Sequence, residues 1–273
     1  MAELPEILII SRQMNQELAG RRLEALSLGQ PKSLDRPPAD FEVSLVGRRL
    51  DRVRGHGKWL ILEFAPPGPN LLVNPGMGMD LLSLAVQPTK KPQFVFNFSG
   101  KAGFSLRFWW FGYLRLAEPG QEWQAMGRPG PAALSPEFTP QVLDRLLERK
   151  KKTGLKSFLL DQKNIAGIGN VYVQEICFKI KAHPRTRLER LTEVQRAGLF
   201  AAIQETLAAA VARGINHYEF DFLGRRGDWG LEAFSVGYKA GSACPHCQTS
   251  IIKIKSGASA SYICPVCQPE ASP

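Results

Sequence analysis

Apolar positions change their period once along the chain, and the change divides it. From residue 22 to residue 116 they fall in short runs at 22–28, 41–46, 50–54, 59–64, 70–73, 93–98 and 104–116, separated by Gly, Pro and Asn. Runs of that length and spacing predict the strands of a sandwich or barrel, led by a helical stretch over 7–18. Residues 117–137 are rich in Pro and Gly (Glu118-Pro-Gly, Gly127-Arg-Pro-Gly-Pro) and read as a linker. Beyond them the period is helical. The segment 139–150 puts Val142, Leu143, Leu146 and Leu147 on one face. Further helices are predicted over Leu155–Leu160, 172–180 and Glu193–Arg213. The last carries a capping box (Thr192 with Gln195) and stops at Gly214.

The C-terminus breaks both patterns. Cys244-Pro-His-Cys247, sixteen residues and Cys264-Pro-Val-Cys267 form two C-x2-C knuckles around an alternating segment, 251–263, with Gly257 at its centre. The alternation predicts a β-hairpin. Two knuckles supply four thiolates to one ion at about 2.3 Å, the closed set of a structural zinc site, with no open position for catalysis. His246 lies inside a knuckle that is already complete, so it is expected to be exposed. Cys177, alone in an apolar helix, reads as a small buried hydrophobe.

Charge changes the picture next. Lys and Arg number 35 against 25 Asp and Glu, a formal +10 over 273 residues. That excess favours a polyanionic partner, although by itself it also fits a merely soluble basic protein. The longest apolar runs are too short to cross a bilayer. The start, Met-Ala-Glu-Leu-Pro-Glu, lacks the basic region of an export signal, so the expected location is cytoplasmic, with the nucleoid of a bacterial-type cell. Nothing in the pattern calls for more than a monomer.

One turn is a candidate phosphate site. In Asp161-Gln-Lys-Asn-Ile-Ala-Gly-Ile-Gly-Asn170, Gly167 and Gly169 bring backbone N–H groups close to an anion. Asn170 is placed to cap the next helix. On the glycines alone an ordinary helix connection is the better reading. Lys156 in the preceding helix, the net charge and the cysteine module reverse that preference.

The segment Leu155–Glu175 followed by His183-Pro184 resembles the helix-two-turn-helix of the formamidopyrimidine-DNA glycosylase/endonuclease VIII family. Met1–Glu6 resembles that family's N-terminal signature, Gly55-His-Gly-Lys-Trp-Leu60 its lysine strand, and Cys244–Gln268 its zinc finger. The resemblance implies an α+β multidomain fold. An N-terminal β-sandwich with a leading helix would span 1–118, a linker 119–137, a helix-two-turn-helix domain 138–240, and a zinc-finger hairpin with tail 241–273. A DNA groove would lie between the first and second domains.

It also implies base-excision repair of damaged DNA by a glycosylase with lyase activity. The nucleophile would be the α-amine of Ala2 once Met1 is removed, Glu3 the acid/base at the sugar ring oxygen and Glu6 its support. Lys58, Lys156 and Asn170 would hold phosphates, Met77 would fill the vacated stack, and Phe111 is retained as a further DNA-binding residue. An α-amine has a pKa of roughly 7.7–8.0 against about 10.4 for lysine, so more of it is neutral and nucleophilic near neutral pH.

Several positions depart from the family pattern. Ala2 replaces the usual Pro but still leaves a primary amine able to form an imine. Asn74-Pro-Gly-Met-Gly-Met79 replaces a His-Leu-Gly-Met-Ser/Thr-Gly loop. Trp109 stands where an Arg reads the partner base, and Ser259 falls where an Arg grips phosphate. A glycosylase with an altered substrate, single-stranded DNA or unusual lesions, follows from the retained Ala2, Glu3, Glu6 and Lys58. A non-catalytic DNA-binding paralogue follows from the lost arginines. An unrelated zinc-ribbon protein would leave Met1–Glu6 unexplained.

Overall fold

The computed structural model describes residues 2–257 and 259–270. By compactness the chain forms two units, residues 1–129 with 214–228, and residues 130–213 with 229–273.

The first unit begins with α1 (Leu4–Leu18), whose Ile7, Ile10, Met14 and Leu18 recur at helical spacing and are buried. The strands β1 (Leu23–Leu28), β2 (Arg49–His56), β3 (Trp59–Ala65), β4 (Asn70–Asn74), β5 (Met79–Ser83), β6 (Phe94–Phe98), β7 (Ala102–Phe108) and β8 (Tyr113–Ala117) make two antiparallel sheets. Their orders are β1-β6-β7-β5 and β2-β3-β4-β8. Alternation drives the stacking. Phe94, Phe96, Phe98, Phe104, Leu106 and Phe108 from one sheet share a core with Leu60, Leu62, Phe64, Leu71, Val73, Leu114 and Leu116 from the other. This is the expected β-sandwich.

Three local expectations are corrected. The run 41–46 is not a strand; it lies in α2 (Pro38–Leu45). Pro38 sits in the first turn, where its missing N–H costs nothing, and Asp40 favours the dipole there. Phe41 and Leu45, one turn apart, are buried, while Val43 points to solvent. The run 104–116 is two strands, because the chain bends over Trp109–Phe111 and passes from one sheet to the other. Strand β5, which the apolar runs do not single out, pairs Met79 with Phe108 through Ser83 with Phe104. The expected linker also carries a helical turn, α3 (Glu122–Ala125).

The second unit holds α4 (Pro140–Arg149), α5 (Leu155–Leu160), α6 (Tyr172–Lys179) and α7 (Glu193–Arg213). Thr139 caps α4 by accepting from the Val142 N–H. The Thr192–Gln195 box opens α7, each side chain accepting from the other's N–H at 3.2 and 3.0 Å. The hairpin β9 (Ile252–Ser256) and β10 (Ser259–Ile263) turns at Gly257, whose φ of 64° a glycine adopts without strain. No helix among the described residues is long and apolar enough to cross a membrane.

Candidate nucleic-acid site

In the first unit the helix start gathers three of the expected catalytic residues. Ala2, Glu3 and Glu6 are all buried. Glu3 is the N-cap of α1 and forms a capping box with Glu6, whose Oε2 accepts the Glu3 N–H at 2.9 Å. The other Glu6 oxygen accepts from Asn216 Nδ2 at 3.3 Å. Two carboxylates at a helix N-terminus are favoured by the dipole and by the otherwise unsatisfied N–H groups. Lys58 follows Gly57 in the β2–β3 turn, and its carbonyl accepts from Asn74 Nδ2.

Sequence reasoning missed Asn216. It lies in the segment 214–228, which packs with the first unit. Asp221 fastens this segment. Its carboxylate accepts from the Leu223 and Arg225 N–H groups, from Arg225 Nε and from Gln13 Nε2 of α1, while Gln13 Oε1 accepts the Phe222 N–H. The Asp and the glycines mark a turn in the sequence, but its anchor lies some 208 residues away on α1.

Two tips of the sandwich meet at Met77 and Trp109–Gly112. A β-carbon on Gly76 would fall 1.0 Å from the Phe111 carbonyl oxygen, and one on Gly78 would lie 2.5 Å from the Trp109 ring. Only glycine allows that approach. Trp109 is further held by its indole N–H, which donates to Asp80 at 2.9 Å. Met77, Trp109, Trp110 and Phe111 are all exposed.

In the second unit the glycine turn is an internal scaffold. Gly167 and Gly169 are buried, and the Gly167 N–H donates to Gln162 Oε1, whose amide in turn donates to the carbonyls of Leu160 and Ile168. Asn170 does not cap α6; the N-cap is Val171. The Asn170 side chain instead accepts from Ser259 Oγ. Lys156 is buried, which pulls its pKa down, and its ammonium donates to the Ala260 carbonyl at 2.7 Å and Ser261 Oγ at 2.8 Å. The turn and the hairpin are thus tied together by side chains.

Cys244, Cys247, Cys264 and Cys267 converge as expected, with all four Sγ atoms within 4.8 Å of one another. Sulfur pairs stand at 3.8, 3.4 and 3.5 Å, close to the ~3.8 Å edge of a tetrahedron with ligands at about 2.3 Å. The cluster can hold a metal ion. Hydrogen bonds from Thr249 bring Cys247 down to about 6, whereas burial, then the neighbouring thiols, push Cys267 up to about 12. His246 is exposed, its ring 5.2 Å from that of Phe178. Cys177 is buried, and burial raises it to about 12, which makes it inert.

Comparison with known proteins finds one family in both units. The formamidopyrimidine-DNA glycosylase N-terminal domain matches residues 1–109, and the formamidopyrimidine-DNA glycosylase H2TH domain matches 130–221. The formamidopyrimidine-DNA glycosylase of Chloroflexus aggregans is 34% identical over 275 residues, covering 98% of each chain. That of Symbiobacterium thermophilum is 33% identical, covering 98% of this chain and 90% of its own. The Lactococcus lactis Fpg, solved in complex with DNA containing an abasic site, superposes with a TM-score of 0.89 at 25% identity, covering 98% of this chain and all of its own.

Proposed function

The chain belongs to the formamidopyrimidine-DNA glycosylase family, and on that premise we propose that it removes damaged bases through an amine on Ala2. It is a DNA glycosylase with an associated lyase step, and its partner is damaged DNA. The reading rests most on the buried Glu3–Glu6 pair beside Ala2 at the start of α1.

With Met1 removed, the Ala2 amine attacks the sugar C1′. The C1′–N bond breaks, the base leaves with a proton, and a Schiff base joins Ala2 to the opened sugar. Loss of a C2′ proton then expels the 3′ phosphate, which cuts the strand. Glu3 is the acid/base at the ring oxygen. Glu6, anchored to the Glu3 N–H and to Asn216, fixes the position of Glu3. Lys58 and Asn170 hold phosphates, and Gly167 and Gly169 shape the turn that carries Asn170. Lys156 acts on DNA through the hairpin it tethers. Met77 and Phe111 fill the space left by the extruded nucleotide.

The ion of the four-cysteine cluster is assigned as zinc. Four thiolates make a closed tetrahedral set, so its work is to hold the hairpin, and no catalytic step needs it. A DNA substrate places the protein with the nucleoid of a bacterial-type cytoplasm.

Borohydride trapping on Met-processed protein with a strand carrying an abasic site tests the reading. A covalent adduct is expected, and it should vanish when Met1 is retained. Intact binding without an adduct would overturn the amine chemistry.

A further inference from the structure

The exposed tip at Trp109–Phe111 carries more chemistry than filling a gap requires. We propose that Trp109, Trp110 and Phe111, with Met77 beside them, form a stacking platform for unpaired bases, so that the preferred substrate is DNA that is single-stranded around the lesion. The inference rests on the protein acting on DNA and adds the state of that DNA.

Exposure comes first. Trp110 is 73% exposed and Phe111 67%, and Trp109, Met77 and Tyr113 lie between 41% and 48%. Large apolar side chains concentrated on one tip mark an interaction surface. Part of the platform is preformed. Gly76 and Gly78 leave no room between the two tips, and the Asp80 hydrogen bond holds the Trp109 ring. Ordering Trp109 on binding therefore costs little.

The chemistry selects the ligand. Over Trp109–Gly112 no side chain carries an amide, carboxylate or guanidinium, and the Trp109 N–H already has its acceptor. Such a tip cannot read a Watson–Crick edge as a side-chain fork does. Ring faces stack on any base. A base in duplex must first leave its own stack, which offsets the gain. That cost is absent in a single strand.

Cations adjoin the tip along the chain. Arg107, two residues before Trp109, donates to the Lys91 carbonyl, and Arg115 lies over both Tyr113 and Trp59, 5.5 and 5.6 Å from their centroids. Aromatic groups with basic neighbours suit the bases and phosphates of one strand.

The test is binding of the full-length protein to a strand with a stable abasic-site analogue, alone and annealed to its complement. The single strand is expected to bind at least as tightly as the duplex. Trp110→Ala should weaken it about tenfold or more, change duplex binding less than about threefold, and leave the thermal midpoint unchanged. Trp110→Tyr should restore most of the loss. Tighter duplex binding, or equal weakening of both DNAs by Trp110→Ala, would overturn the inference while leaving the glycosylase reading intact. Binding to neither DNA would overturn both.

Discussion

Ser259, the first residue of β10, donates its hydroxyl to Asn170 Oδ1 at 2.9 Å. The next three residues repeat the link: Lys156 donates to Ala260 and Ser261, and the Tyr262 N–H donates to Gln174 Oε1 at 2.7 Å. One edge of the cysteine hairpin is therefore fastened to α5, to the glycine turn and to α6, residue after residue. A charge placed at Ser259 enters next to Asn170. Ser259→Arg should tighten DNA binding and steepen the slope of log K against log salt by about one. Titrations at several salt concentrations check this, and an unchanged slope would mean that the start of β10 does not face phosphate.

Lys156 separates two roles that its sequence leaves merged. A lysine on a DNA phosphate contributes salt-dependent affinity and little stability. This lysine is buried and satisfies a carbonyl and a hydroxyl. Lys156→Met should leave both unsatisfied and destabilise the protein by about 1–3 kcal/mol, with DNA affinity falling because the hairpin loosens. Denaturant unfolding and salt titration together distinguish the roles. Full stability with a slope shallower by about one would assign Lys156 to direct phosphate contact.

Much of this architecture is legible in the sequence because it rests on local rules. The two C-x2-C knuckles, the Thr192–Gln195 box and the Phe-x-Phe-x-Phe run of β6 each carry their own geometry. Where the reading slips, the deciding partner is distant. Phe41, Val43 and Leu45 alternate as a strand would, but Phe41 and Leu45 also lie one helical turn apart, and only burial of those two with Val43 exposed decides between the readings. Asn170 looks like a cap until Ser259, far along the chain, claims its side chain. Asn216 carries no motif at all, and its partner Glu6 lies 210 residues away in the sequence.

Metal removal should loosen the hairpin without unfolding the sandwich, because among the described residues the hydrophobic side chains clustered with these cysteines, Phe178, Val236, Ile251 and Tyr262, belong to the same unit. Chelation, or Cys247→Ser, should lower DNA affinity and the thermal stability of the second unit while near-ultraviolet signals of the sandwich persist. Elemental analysis should find one zinc per chain, and far less than one in protein purified without chelator would end the assignment.

His183 gives a pH dependence with a definite sign. Burial, then the charge of Arg185, hold its pKa below the usual 6.5, against an opposing pull from Glu270. Its Nδ1 accepts the Arg185 N–H at 3.2 Å, a bond that only the neutral ring makes. The unfolded chain thus takes up a proton at a pH where the folded one does not. Stability should be full above about pH 6.5 and fall as pH drops from there toward the lower folded-state pKa. Comparing midpoints of the native protein and His183→Asn at pH 7.5 and 5.5 isolates this from thiol protonation. Equal losses in both would remove His183 from the explanation.

Asn216 allows chemistry to be separated from binding. Its amide holds Glu6 Oε1, and Glu6 Oε2 holds the Glu3 N–H, so the position proposed for the acid/base residue depends on a side chain from the segment 214–228. Asn216→Leu keeps the approximate volume and removes the donor. Glu6 then loses one anchor and Glu3 shifts with the start of α1, and misplacement by about 1 Å can cost on the order of 100-fold in rate. The expected result is a single-turnover trapping rate reduced about 10- to 100-fold, with affinity for abasic-site DNA within about threefold of native. Because Asn216 acts through Glu6, the double variant Asn216→Leu with Glu6→Gln should be little slower than Glu6→Gln alone. Full additivity of the two losses would show that Asn216 acts independently, on the substrate itself.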